Sequence, residues 1–335
     1  MPARNPETEK DPNADGGEKK GKGRRIALGL LLTLVFLLAI LWYVRDRAGE
    51  FRELAGRIPG ISSLWPAFLG VFLVYLANGE TVRLSLRFRG TRLPFLENQA
   101  LNFAASALNW FVPFKGAAGL KALYLNKRHG LRVSDFLAQT AMVGVLTLSL
   151  SSFFALLGLA GLAAGGKTPG PAGTPLVLYF GATLALGAFL IFKGKLPFPL
   201  PGRLAPLAAS WETFRKNPWL MAKTALADSS YFLAWTLTNR FCLEATGIEV
   251  NLWGALFYAG GQVHTLLMNL TPAGLGLMEA YAVFAGSILG FTPAGALLAQ
   301  GIFRLSAVAV LSATGLLGYL YLTFAKAKGK GVPGA

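Results

Sequence analysis

The sequence predicts an all-α, polytopic integral membrane protein with six full spans and two re-entrant helical hairpins in an inverted-topology repeat. Eight full spans are the alternative. Three observations lead there. Apolar runs of spanning length recur in a chain of 335 residues that is 53% hydrophobic and 14% charged, too little charge for the surface of a soluble domain of that size. Two polar, helix-breaking motifs interrupt the apolar sequence in corresponding positions, a pattern that points to transporter binding sites. Finally, Lys and Arg become strongly asymmetric across the membrane when the interrupted segments are counted as hairpins.

In chain order, residues 1–25 are polar and rich in Glu, Lys, Asp, Pro and Gly, which predicts a disordered cytoplasmic tail. The apolar run at 26–44 follows a basic stretch and lacks a small-residue cleavage site, so it reads as an uncleaved first helix and not a signal peptide. Further runs lie at 65–79, 136–164, 174–192, 219–238 and 295–324. Each is long enough, or nearly so, to cross a hydrocarbon core about 30 Å thick. They are continuous, not alternating, which excludes a β-barrel. Segments 95–126 and 253–289 are the predicted hairpins. The hairpin reading gathers most Lys and Arg on the side of both termini, whereas eight spans divide them almost evenly. One transmembrane domain then covers 26–324, with repeats at about 61–164 and 217–324, and a basic cytoplasmic tail at 325–335.

The net charge of +16 does not indicate nucleic acid. The basic residues sit beside apolar runs, where they face anionic lipid headgroups and set topology. Cys242 is the single cysteine, so there is neither an internal disulfide nor a cysteine metal site. His129 and His264 are too few for a histidine-rich metal centre, and His264 reads as a hydrogen-bonded packing residue. No phosphate-binding glycine loop occurs, and no cofactor or catalytic role is expected. Most tryptophans and tyrosines fall near the ends of apolar runs, as in an interfacial belt.

The two motifs carry the functional reading. The first is Asn102-(x6)-Asn109-(x3)-Pro113-(x1)-Lys115-Gly116, followed by Lys121. The second is Gln262-(x6)-Asn269-(x2)-Pro272-(x1)-Gly274-(x1)-Gly276, followed by Glu279. Amides spaced i, i+7 share a helix face and serve either as helix–helix glue or as a binding site. Broken helices and charges at membrane depth are costly unless they line a protected site. Arg304, about ten residues into the last apolar run, needs a carboxylate, a wet cavity or an anion. Glu279 is its natural structural partner, and a phosphate its functional one. Asp228 lies mid-run at 219–238. Glu80 and Arg83 share a helix face as an interfacial pair, and Asp135 reads as a helix cap.

At these residues the chain resembles the flippase-like transmembrane family typified by the membrane half of bacterial lysylphosphatidylglycerol synthases (multiple peptide resistance factors). The resemblance covers roughly residues 65–324. Asn109, Pro113, Lys115 and Lys121 fit the family's first motif, with lysine twice for arginine, and Ala117 and Ala118 where Gly-Glu is usual. Pro272, Gly274, Gly276 and Glu279 fit the second, with Ala273 for a glycine, and Arg304 matches an arginine of the following helix. The resemblance implies lipid translocation in the cell inner membrane and not synthesis, because the soluble aminoacyl-transferase domain has no counterpart in this sequence. The implied cargo is an anionic or aminoacylated phospholipid, or a polyprenyl-phosphate lipid. Lys115, Lys121 and Arg304 would bind the headgroup, while Glu279 and Asp228 would balance that charge or carry a coupling proton. Two other readings stay open: a secondary transporter of a small solute or ion, and a non-transporting membrane subunit of a lipid-modifying or glycosyltransferase system. A homo-oligomer or a lipid-modifying enzyme partner fits either.

Overall fold

The computed structural model describes residues 48–57, 64–111, 116–167, 170–193, 211–268 and 274–328, with a few isolated positions before residue 61. The tail at 1–25 and nearly all of the run at 26–44 lie outside them. The helices are α1 (Ala48–Arg57), α2 (Trp65–Leu86), α3 (Phe95–Phe111), α4 (Gly116–His129), α5 (Val133–Ala164), α6 (Gly170–Lys193), α7 (Pro218–Glu244), α8 (Leu252–Met268), α9 (Leu277–Ile288) and α10 (Pro293–Lys328). Gly130 and Gly290, at φ 66° and 82°, follow α4 and α9 and let the chain turn sharply into the next long helix.

The expectation of six full spans, with eight as the alternative, does not hold. Among the described residues four helices are both long and apolar enough to cross a membrane: Trp65–Arg89, Val133–Ala164, Gly173–Ile191 and Pro293–Phe324. The run at 219–238 sits in α7, which has the length but carries Lys223, Asp228, Thr236, Thr238 and Asn239. Of these, all but Lys223 are buried inside the bundle. These polar groups on its inward face lower its mean hydropathy, while its outward face carries the exposed Leu226, Leu233, Leu237 and Phe241. The eight-span alternative fails on length: α4 and α9, at 14 and 12 residues, extend only about 21 and 18 Å at 1.5 Å per residue.

Helices α2 and α7 lie along one another at the centre. Around them the packing is reciprocal: α3 lies along α10, and α8 along α5, while α6 covers the outside of α5. Missing side chains permit the close approach. A Cβ at Gly158 of α5 would lie 2.5 Å from the Trp253 carbonyl oxygen and 2.7 Å from the Phe257 nitrogen of α8. A Cβ at Gly318 of α10 would lie 2.5 Å from the Ala100 carbonyl oxygen of α3. Backbone atoms cannot swing aside, so these glycines set the interhelical distance. Gly158→Ala or Gly318→Ala is therefore expected to cost about 1–3 kcal/mol, seen as a lower thermal midpoint in detergent. Gly181→Ala, where a Cβ meets nothing within 4 Å, is the control, and equal midpoints for all three would refute the close-packing account.

Amides sew α3 to α2. Asn98, Gln99 and Asn102 donate to the carbonyl oxygens of Gly79 (2.7 Å), Leu76 (3.1 Å) and Tyr75 (2.7 Å). These carbonyls lie within a helix, and the amides use their second lone pairs. At the start of α3, the buried Glu97 carboxylate accepts from the Tyr124 hydroxyl at 2.7 Å and lies 2.9 Å from His129 Nε2 and 3.2 Å from Arg128 Nε. The first residues of α3 and the last of α4 are thus tied together. Tyr281 on α9 donates to the Phe257 carbonyl of α8 at 3.3 Å, which holds that pair side by side.

Smaller expectations meet mixed outcomes. Glu80 and Arg83 pair through two hydrogen bonds of 2.6 and 2.7 Å. Asp135 does not cap α5; it pairs with Arg89 at 3.2 Å. The aromatic belt is only partly right. Trp65 and Trp219 are exposed, but Trp235, Tyr231 and Tyr258 are buried in the interior, where Trp235 donates to Gln262 and the Tyr258 hydroxyl accepts from Gln300.

Candidate functional site

At the centre lies a cavity of about 250 Å³ whose wall draws on α2–α5 and α7–α10. Its polar lining includes Tyr75, Asn78, Ser106, Asn109, Lys121 and Thr147, and its aromatic lining Trp110, Tyr231 and Trp235. Asn109 thus falls on the wall, one helical face along from Asn102. A second, wider cavity of about 770 Å³ opens where α5, α7 and α9 end. Its arginine, Arg240, is already paired with Glu244 on the same helix at 2.8 Å, and none of the sequence motifs reaches it.

Lys121 is the cation of the central cavity. Its ammonium donates to Asn102 Oδ1 at 2.6 Å, and among the described residues it has no carboxylate partner. Asn102 is fixed in turn by its bond to the Tyr75 carbonyl. The chain Tyr75–Asn102–Lys121 runs from α2 through α3 to α4. It leaves a positive charge held by a neutral amide, which orients the ammonium without neutralising it.

Glu279 and Arg304 form the second element. Gly276, at φ 89°, precedes α9 in a conformation that β-carbon residues rarely adopt. Its N–H donates to Glu279 Oε2 at 2.7 Å. The other carboxylate oxygen, Oε1, accepts from Arg304 Nε. The two side chains are 9% and 16% exposed, so this is an ion pair shielded from solvent. The Arg304 guanidinium lies 5.7 Å from the centre of the Trp110 ring, and Trp110 donates to the Tyr75 hydroxyl at 3.3 Å. Through Trp110 and Met278, both on the cavity wall, the pair borders the same space as Lys121. Gly274 is buried beside Met278.

Asp228, 2% exposed, accepts from the Thr147 hydroxyl at 3.1 Å through Oδ1. Thr147 is a lining residue, so the carboxyl stands one hydrogen bond behind the wall. Gln262 accepts from Trp235 Nε1 at 3.1 Å and joins α8 to α7. His264 sits between Ser152 (3.1 Å) and Tyr179 (2.7 Å), as a packing histidine does. Cys242 is buried. Pro113, Lys115, Asn269 and Pro272 lie outside the described residues. Among the described residues no group of three or more His, Cys, Asp or Glu is placed to hold a metal ion.

The structure thus places Asn109 and Lys121 on the wall of one cavity, with Asn102 bonded to Lys121, the Glu279–Arg304 pair beside Trp110 and Asp228 one hydrogen bond behind Thr147. Sequence reasoning missed Tyr75, Asn78, Trp110 and Thr147. Asn78 was the detectable one, an amide inside a predicted apolar run.

A multi-pass helical bundle with broken helices around a central, largely apolar cavity, a cation on its wall and a shielded ion pair beside it defines a membrane transport module. The chain belongs to the family of the lysylphosphatidylglycerol synthase transmembrane region, whose model matches residues 26–315. This is the flippase-like, non-catalytic membrane module implicated in moving lysylphosphatidylglycerol and related anionic phospholipids across the membrane. No curated protein matches the chain.

Proposed function

We propose that the central cavity receives the anionic headgroup of a phospholipid and that the chain carries this lipid between leaflets, with Lys121 as the principal headgroup contact. The observation that carries this reading is the Lys121 ammonium, which faces a cavity and, among the described residues, has the Asn102 amide as its one partner. A charge in that position favours an anion, and a phosphodiester offers the acceptor oxygens. Arg304 and Glu279 then act as a preset, internally neutral pair, Asn102 orients the Lys121 ammonium, and Asn109 on the wall hydrogen-bonds the headgroup. The cavity, at about 250 Å³, is smaller than sites for drug-sized ligands, about 300–1,000 Å³. A headgroup fits and acyl chains stay outside, as lipid passage along a protein requires.

The orientation follows from charge. Exposed Arg87, Arg92, Lys127, Arg128 and Arg132 gather at the end where α2 finishes and α5 begins. At the other end Lys167 and Arg240 are set against Glu244 and Glu249. The basic end faces the cytoplasm by the positive-inside rule, and its cations meet anionic lipid headgroups there.

The test is leaflet transfer in proteoliposomes with fluorescent phosphatidylglycerol and phosphatidylcholine analogues. Faster transfer of phosphatidylglycerol than in protein-free vesicles, and faster than of phosphatidylcholine, is the expected result. Equal rates with and without protein would sink the proposal.

A further inference from the structure

We propose that Asp228 is the proton-binding group of this protein, and that it takes up a proton from the aqueous phase together with an anionic headgroup in the central cavity. The inference rests on the headgroup reading above and separates two carboxyls that the sequence leaves equivalent, Glu279 and Asp228.

Glu279 is excluded by its partners. One oxygen accepts from the Gly276 N–H and the other from Arg304. Protonating it would remove the counter-charge of a shielded guanidinium. Asp228 is the opposite case. Its Oδ1 accepts from Thr147, while its Oδ2 is buried and has no hydrogen-bond partner among the described residues. An ionised carboxylate is poorly served by one hydroxyl in a site 2% exposed. The neutral acid is better matched, because protonation at Oδ2 removes the charge and leaves the Thr147 bond intact.

Among the described residues the surrounding elements supply no fixed counter-charge, and Glu80 and Arg83 on α2 are paired with each other. Tyr231 on α7 and Tyr75 on α2 are uncharged at neutral pH. On α8, His264 is bonded away to Ser152 and Tyr179, and Glu279 on α9 is paired with Arg304 on α10. Lys121 stands on the cavity wall that Thr147 shares, and it is the cation the headgroup claims. A metal cation fits the position less well than a proton. α5 and α7 are unbroken helices at Thr147 and Asp228, so their carbonyls are engaged, whereas coupling-ion sites draw on unwound backbone.

Coupling follows from electrostatics. A headgroup phosphate held by Lys121 repels an ionised Asp228 behind the same wall and favours its protonated form. By linkage, a proton on Asp228 favours the headgroup to the same degree. The proton leaves for the aqueous phase when the headgroup does, and no covalent bond of the lipid changes. One negative phosphodiester and one proton bound together leave the net charge of the loaded site as it was.

The experiment titrates the purified full chain with dioctanoyl phosphatidylglycerol in weakly buffered solution, following binding and proton uptake. Wild type is expected to take up protons with the lipid, and its affinity to fall with rising pH by up to roughly tenfold per pH unit. Asp228→Asn keeps an oxygen for Thr147. It is expected to bind without proton uptake and, in the acid range where Lys121 stays charged, with an affinity that pH does not change. Unaltered uptake in Asp228→Asn overturns the proposal. In parallel, acid-minus-alkaline infrared difference spectra of lipid-free wild type should show a carboxyl band that Asp228→Asn removes, and a band that the variant retains also overturns it. Failure of wild type to bind the lipid, with that band present, rejects the headgroup reading and leaves Asp228 as a proton-binding group.

Discussion

Replacing Glu279 with alanine is expected to leave little folded protein. The carboxylate is the counter-charge of Arg304 in a place where both side chains are shielded, and it also holds the Gly276 N–H at the start of α9. Removing one partner of such a pair costs about 3–5 kcal/mol, a large part of the roughly 5–15 kcal/mol that stabilises a typical domain. Glu279→Gln keeps an acceptor for Gly276 and removes only the charge, so its loss is smaller. The double variant Glu279→Leu/Arg304→Met removes both charges and is expected to recover most of the stability, because well-packed apolar replacements of buried pairs are often neutral or better. The monodisperse yield and thermal midpoint in detergent measure all three. A wild-type midpoint for Glu279→Ala would show that the pair is not what holds α9 to α10.

Lys121→Met should do the reverse: spare the fold and abolish most transport. Methionine keeps the length and apolar stem of lysine without its ammonium. Stability is expected to hold or rise, since a cation with only an amide partner is relieved. A hydrogen bond to a charged group contributes about 1.5–3 kcal/mol, which converts to about 10- to 100-fold weaker handling of an anionic lipid. Phosphatidylglycerol transfer in proteoliposomes is the readout, and Lys121→Arg should retain part of it. Wild-type transfer by the methionine variant would remove Lys121 from the site.

Much of this site was legible because membranes make polarity conspicuous. Glu279 and Arg304 could be matched from sequence, since each was costly alone and the pairing resolved both. Asp228 could be placed near mid-helix by its apolar flanks. The Asn102 question had no single answer: the residue is helix glue toward Tyr75 and a site residue toward Lys121. The partners of these residues were not legible. Asn102 meets Lys121 only because the chain reverses between α3 and α4, and Asp228 meets Thr147 across 81 positions. No local period reports either contact. The span count failed for a related reason. Mean hydropathy averages both faces of a helix, and in α7 the buried Asp228, Thr236, Thr238 and Asn239 offset an exposed face of Leu226, Leu233, Leu237 and Phe241.

The glycine-lined contacts of α5 with α8 and of α10 with α3 limit how the molecule can move. Each short inner helix is braced by a long helix from the other end of the sequence, so the bundle has no seam along which two lobes could part like a clamshell. A track of missing side chains resists separation but offers few ridges to block sliding. Exposure of the cavity to alternate sides is therefore a problem of shear, in which an inner helix slips along its brace by a fraction of a helical turn. Hinge opening would have to break both braces at once.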